Sequence, residues 1–107
     1  MLKFTNPITG VELQVANQDF SDEMTWKDAE RVCIELGSGW RLPTKEELEA
    51  IYEQLHKKGQ GEFKSAHYWS IAEYDSSEAW PFNFATGTAG YNETRMGSFY
   101  VRAVRAL

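Results

Sequence analysis

Residues 39–48, GWRLPTKEEL, end one helix and begin another, and they constrain the fold more than any other stretch of the chain. Gly37, just before them, suits a helix C-cap because glycine adopts a positive φ without steric cost. Pro43 lacks an N–H group and disfavours helix at the residue that precedes it. Thr44 is then a typical N-cap, and Glu47 completes a capping box with it. The segment therefore predicts two helices joined by a sharp turn.

Apolar residues recur at helical spacing on both sides of this turn. The first helix is predicted over residues 25–36, with Thr25 as its N-cap, and the second over residues 44–58. Their apolar stripes consist of Trp26, Ala29, Cys33 and Leu36 in the first helix and of Leu48, Ile51, Tyr52 and Leu55 in the second. Acidic residues suit the start of the second helix, and we expect these to face solvent: Glu46, Glu47, Glu49 and Glu53.

The rest of the chain has the alternation and the turn residues of β-strands. Strands are predicted at residues 4–15 (two strands around a turn), 68–72, 79–85 and 99–104. Trp80, Phe82 and Phe84 share one face of their strand, and Pro81 favours an edge position or a bulge there. Strands, two helices and then more strands form an α+β order.

Length and charge limit what the chain can do. Its 107 residues are the length of one domain, which we take as residues 1–107. The formal net charge of -5 supplies no basic surface, so we expect no nucleic-acid binding. No apolar run approaches the ~20 residues that a membrane span needs, so we expect no membrane insertion. Since no signal peptide is visible, the chain as written is expected to be cytoplasmic. As part of a larger or processed protein it would be secreted or at the cell surface.

Five segments occur in an order that resembles a bacterial domain family of unknown function. They are MTWKDA at 24–29, WRLPTKEEL at 40–48, YWS with EY at 68–74, AW with NF at 79–84, and YVRAVR at 100–105. That family includes the C-terminal domain of collagen-like bacterial adhesins and has the C-type-lectin-like fold. The resemblance implies that the N- and C-terminal strands pair and that the two helices flank their sheet. It also implies a second small sheet, from about residue 68, that carries the binding face.

Calcium-dependent sugar binding, the obvious lectin hypothesis, lacks its sequence motifs. The tripeptides EPN, QPD and WND are absent. Oxygen ligands could come from Asp75, Glu78, Asn92 and Glu93, but these positions are typical of solvated turn residues. We therefore expect no metal site and no cofactor.

Catalysis has little support either. His56 and His67 lack a metal-ligand spacing, and Cys33 lies on the apolar stripe of the first helix. The fold is shared with formylglycine-generating enzymes, but their paired active-site cysteines cannot exist in a chain with one Cys. We expect that the chain is not an enzyme.

Several arginines and tryptophans have both a binding and a structural interpretation. Arg41 could bind a ligand carboxylate, or it could form an ion pair or bind backbone carbonyls at the helix junction. The structural interpretation is favoured for Arg41, Arg102 and Arg105 alike. Trp69 and Trp80 are likewise expected in the core.

The segment 74–98 is the best candidate for a ligand-binding face. It is rich in Tyr, Asn, Ser, Thr and Gly, a composition typical of recognition loops, although ordinary polar loops would share it. The leading hypothesis is a non-catalytic module that binds a protein or a glycan. The alternative is an intracellular interaction or immunity-type protein, an acidic partner for a basic target. The candidate ligand-binding residues are Tyr74, Asp75, Asn83, Tyr91, Asn92, Glu93 and Arg95.

Overall fold

The computed structural model of the protein describes residues 1–73, 78–89, 93–94 and 97–107, with the backbone alone at 78 and 93–94. Two α-helices and seven short strands lie in these ranges. In chain order they are β1 (Leu2–Thr5), β2 (Glu12–Val15), α1 (Trp26–Glu35), α2 (Lys45–Gln54), β3 (His67–Glu73), β4 (Glu78–Asn83), β5 (Thr88–Ala89), β6 (Glu93–Thr94) and β7 (Val104–Ala106). None of the described helices is long and apolar enough to cross a membrane.

The two ends of the chain meet in a three-stranded antiparallel sheet of order β1-β2-β7. Val15 of β2 faces Leu2 on one side and Val104 on the other. In the β1–β2 turn, the Asn6 side chain accepts the N–H of Ile8 at 2.9 Å. The predicted pairing of the N- and C-terminal strands is therefore confirmed.

Both helices begin at the predicted caps. Thr25 accepts the N–H of Asp28 at the start of α1. At the start of α2, Thr44 Oγ1 accepts the Glu47 N–H at 3.0 Å, and Glu47 Oε1 accepts the Thr44 N–H at 2.8 Å. A 3₁₀ turn, His56–Lys58, continues α2 and ends at a glycine with φ of 72°. The capping box is confirmed, and the predicted second helix ends in this tighter turn.

The strand β3 lies between two apolar clusters. Tyr68 belongs to one and Trp69 to the other, because neighbouring side chains of a strand point to opposite faces. The first cluster joins α2 to both sheets and consists of Phe4, Leu13, Val15, Leu48, Ala50, Ile51, Leu55, Tyr68, Phe82, Phe84 and Val104. The second joins α1 to β3 and the C-terminal segment and consists of Trp26, Ala29, Cys33, Leu42, Trp69, Ala79, Val101 and Ala103.

Two residues of the predicted helices differ from the prediction in their exposure to solvent. Glu47 was expected to face solvent, but it is only 4% exposed because its carboxylate turns back to the cap and to Arg41. Leu36 was expected in the apolar stripe, but it is 49% exposed. The helix ends before it, and Gly37 turns the chain away with φ of 73°.

The strand predictions also need correction. In the predicted strand 99–104, Phe99 and Tyr100 make only isolated bridges, and β7 begins at Val104. Of the two alternatives predicted for Pro81, the edge position is not the one adopted, since β4 pairs with β3 on one side and with β5 and β6 on the other. The alternative for Pro81 is confirmed, because the β3–β4 register shifts beside it. Trp80 is only half-buried.

Candidate functional site

The helix junction uses Arg41 to close the turn between α1 and α2. Its two Nη atoms donate to the two carboxylate oxygens of Glu47 at 2.8 and 2.9 Å, and Nη1 also reaches the Leu42 carbonyl at 3.1 Å. Burial alone would raise the pKa of the Glu47 carboxyl, but Arg41 and the Thr44 N–H group lower its pKa below the usual value. The structural interpretation of Arg41 is therefore confirmed.

A second arginine, Arg102, lies almost fully inside the protein. Its side chain is 1% exposed, and Nε donates to Asp19 Oδ1 at 2.7 Å. Nη1 donates to the Ala16 carbonyl at 3.0 Å. Nη2 donates to the carbonyls of Gly61 and Glu62 at 2.9 and 3.3 Å. One guanidinium thus ties the loop after β2 and the loop before β3 to the C-terminal segment.

Asp19 and an aromatic ring complete this buried network. Tyr68 donates its hydroxyl to Asp19 Oδ2 at 2.7 Å and accepts the Lys64 N–H at 2.9 Å. Burial, and then the bond to Asp19, raise the pKa of the Tyr68 hydroxyl. The guanidinium of Arg102 lies 4.1 Å from the centroid of the Phe63 ring. These contacts all serve the fold.

Arg105 and Trp69 are also engaged within the protein. Arg105 donates from Nε to Gln14 Oε1 at 2.8 Å, and its guanidinium lies 4.6 Å from the centroid of Trp40. Trp69 is fully buried, and its indole N–H donates to the Met24 carbonyl at 2.7 Å. The structural interpretation of both residues is confirmed.

Tyr74, Asp75, Tyr91, Asn92 and Arg95 lie outside the described residues. The backbone of Glu93 pairs with Ala79 in the second sheet.

Asn83 is the predicted ligand-binding residue whose side chain is described. It ends β4, and its Oδ1 accepts the Ala85 N–H at 2.8 Å. Its carbonyl accepts the Gly87 N–H at 2.8 Å. Asn83 therefore shapes the turn from β4 to β5.

A half-open surface lies beside the second sheet where α2 begins. Lys45 Nζ lies 4.5 Å from the centroid of the Trp80 ring, a cation–π arrangement that joins α2 to β4. A hollow of about 190 Å³ next to it is lined by Lys45, Glu46, Glu49, Phe82 and Ala89. Sequence reasoning did not single out Lys45, because its aromatic partner lies far away along the chain.

Among the described side chains, no three of the types His, Cys, Asp and Glu are grouped so that they could hold a metal ion. Cys33 is buried, and burial raises the pKa of its thiol to about 12. That thiol stays protonated near neutral pH, and a protonated thiol is a poor nucleophile.

The described residues thus form a small α+β domain of two helices and two antiparallel sheets. The Lcl C-terminal domain family matches residues 7–105, so the chain belongs to that family. A chain from a complex of a mutant von Willebrand factor A1 domain with botrocetin is similar in structure, with a TM-score of 0.60. The two are 13% identical, and the match covers 90% of each chain. That likeness concerns the fold alone. A comparison with curated protein sequences gives no significant match.

Proposed function

We propose that the chain is a non-catalytic recognition module of C-type-lectin-like fold, which binds a protein or a glycan through residues 74–98. The fold assignment is supported by the pairing of β2 with β7, which joins the two ends of the chain. It is supported further by the second sheet, which begins at His67 as the sequence resemblance implies. Membership of the Lcl C-terminal domain family agrees with a binding role.

One observation carries the proposed binding face, namely the way in which its strands are anchored. Trp69 and Phe82 of the second sheet are buried, and so is Phe84 directly after β4. β5 and β6 both pair with β4, which in turn pairs with β3. Segments 74–77 and 90–92 therefore begin and end at strands of one well-packed sheet. Binding residues are commonly carried by loops that a rigid scaffold holds.

The internal use of the other candidate residues supports the same face. Arg41, Arg102 and Arg105 all donate to partners within the protein. The tyrosines and the arginine at 74, 91 and 95 have the residue types that dominate binding energy in many interfaces. A role in catalysis is not part of the proposal, and neither is a metal ion or a cofactor.

The face can be tested with a glycan array and a pull-down, followed by calorimetry on whichever ligand is captured. Changing Tyr91→Ala and Arg95→Ala together should weaken binding about tenfold or more, because Tyr and Arg are frequent hot spots. The melting temperature should change little, since surface substitutions usually cost within about 0.5 kcal/mol. Calcium and a chelator should give the same affinity.

A matched control is available on α1, where Arg31 and Ile34 are exposed. Changing both to Ala removes one arginine and one large apolar side chain away from the second sheet, and binding should stay at the wild-type level. Normal binding by the Tyr91/Arg95 variant would place the ligand on another surface.

A further inference from the structure

A groove runs between the β1–β2 turn and the outer face of α2. Its volume is about 370 Å³. Its floor is mainly apolar, while carboxylates stand along the helix side. The residues that line it are Pro7, Ile8, Glu46, Glu49, Ala50, Glu53 and Gln54.

The walls of this groove are held in place by hydrogen bonds. Gln54 donates from Nε2 to the Thr5 carbonyl at 2.7 Å and accepts the Thr5 N–H at 2.8 Å. The Asn6 side chain fixes the N–H of Ile8 at 2.9 Å. The turn and the helix thus form one preformed surface, so a ligand would not have to order it on binding.

The apolar and the acidic side chains of the groove are both in an unfavourable environment when only water covers them. Ile8 is 77% exposed, which leaves a large apolar side chain in water. Glu46, Glu49 and Glu53 are three and four residues apart and share one face of the helix, where like charges repel. Lys57 pairs with Glu53 at 3.2 Å. Among the described residues, no lysine or arginine nitrogen lies within 4.0 Å of the Glu46 or Glu49 carboxylate.

We infer that this groove docks a segment of a partner protein in which apolar and basic side chains alternate. The apolar side chains would cover Pro7 and Ile8, and the basic ones would pair with the carboxylates of Glu46 and Glu49. Charge complementarity selects this occupant, because the rim is acidic and the whole chain carries a formal charge of -5. None of the residues that line the groove belongs to segment 74–98, so the failure of one proposal leaves the other standing.

The groove also adjoins the second sheet. Glu46 and Glu49 line both this groove and the smaller hollow that Phe82 and Ala89 border. A basic side chain seated between these two carboxylates would therefore reach the edge of the second sheet, and the amide of Ala89 should report its binding.

A blocked tetrapeptide of alternating leucine and arginine is a suitable probe. Titrated into ¹⁵N-labelled protein, it should shift the amide signals of residues 7–8 and 46–54 and then that of Ala89. Two control peptides, leucine with glutamate and glycine with arginine, should each bind at least about fivefold more weakly. The first lacks the basic side chains, and the second lacks the apolar ones.

Variants of the protein separate the contribution of the carboxylates from that of the apolar side chain. Glu46→Gln with Glu49→Gln should weaken the leucine–arginine peptide about fivefold or more, because exposed charge pairs each contribute up to about fivefold. Asp22→Asn with Glu23→Gln makes the same change in net charge at exposed positions outside the groove and should change the affinity less than about twofold. Ile8→Ser should weaken binding by removing the apolar contact.

Three results would overturn the inference. The leucine–arginine peptide could bind no better than its controls, or the two double variants could bind it equally well. Alternatively, the signals of the groove could depend on protein concentration without any peptide, which would make a second copy of the chain the occupant.

Discussion

Two arginine–carboxylate pairs among the described residues differ in both exposure and reach. Arg102 is 1% exposed and pairs with Asp19, which is 10% exposed and lies 83 positions away in the chain. Arg41 is 37% exposed and pairs with Glu47, only six positions away. The first pair joins distant loops, whereas the second closes one local turn.

This difference in exposure determines how much stability is lost when one partner of each pair is removed. A buried ion pair gains little over apolar packing, yet the loss of one partner leaves the other charge in a region of low dielectric constant. In the second pair Arg41 keeps water as an alternative partner, although the Glu47 carboxylate is 5% exposed, so the loss of that carboxylate costs less. We therefore expect Arg102 to be essential for the fold and Arg41 to adjust the stability of α2.

The largest effect is expected at the buried pair. Arg102→Met leaves Asp19 without its cation and removes the donors to three carbonyls, so it should lower the free energy of unfolding by about 3–5 kcal/mol. Urea melts followed by tryptophan fluorescence would measure this. Adding Asp19→Asn should recover part of the loss, because the uncompensated charge is then gone. Fully additive losses would contradict the contrast between the two pairs.

The Arg41–Glu47 pair should show a smaller and pH-dependent effect. Glu47→Gln keeps a residue that can cap α2 but loses the carboxylate, so at neutral pH it should cost about 1–3 kcal/mol. The folded-state pKa of Glu47 is lowered, so its contribution is complete above the unfolded pKa of about 4.3. The contribution is lost as the pH falls through the lowered folded value.

Urea midpoints of the wild type and of Glu47→Gln, compared between neutral and acid pH, test this directly. The difference between the two urea midpoints should be constant near neutral pH and should become smaller in acid. A gap that stays constant down to strongly acid pH would show that Arg41 does not stabilise the charged form.

The cap itself should contribute less. Thr44→Ala removes the acceptor of the Glu47 N–H and should lower the free energy of unfolding by about 0.5–2 kcal/mol. Thr44→Ser keeps the hydroxyl and is the control, which should stay close to the wild type. An unchanged midpoint for Thr44→Ala would mean that the Arg41–Glu47 pair alone fixes the start of α2.

The same contrast explains what the sequence could predict. Thr44 and Glu47 lie within one helical turn, so their capping box is visible as a short pattern. The partners of Arg102 lie 40 to 86 positions away, and no local pattern reports such contacts. The inward turn of Glu47 was missed because solvent exposure was inferred from helix position alone, without the guanidinium that folds over it.

Distance along the chain also limited the strand and site predictions. The pairing of β2 with β7 was predicted from a family resemblance and not from either strand alone. Phe99 and Tyr100 alternate like strand residues, but their partners Met24 and Tyr68 allow only single bridges. The groove beside Ile8 was not predicted, because it forms only when the β1–β2 turn is laid against α2.

The smallest effect is expected at a third arginine, Arg31, whose side chain and carboxylate partners are all more than half exposed. Arg31 lies between Asp28 and Glu35 on α1, at 3.3 and 3.2 Å. Hydrogen bonds to Asp28 and then to Glu35 raise the pKa of Arg31, but water and salt screen both contacts. Glu35→Gln should therefore leave the urea midpoint within the error of the measurement, at low and at high salt. A clear loss of stability that disappears in high salt would contradict this expectation. It would show that exposed charge pairs stabilise this fold as well as the Arg41 and Arg102 pairs do.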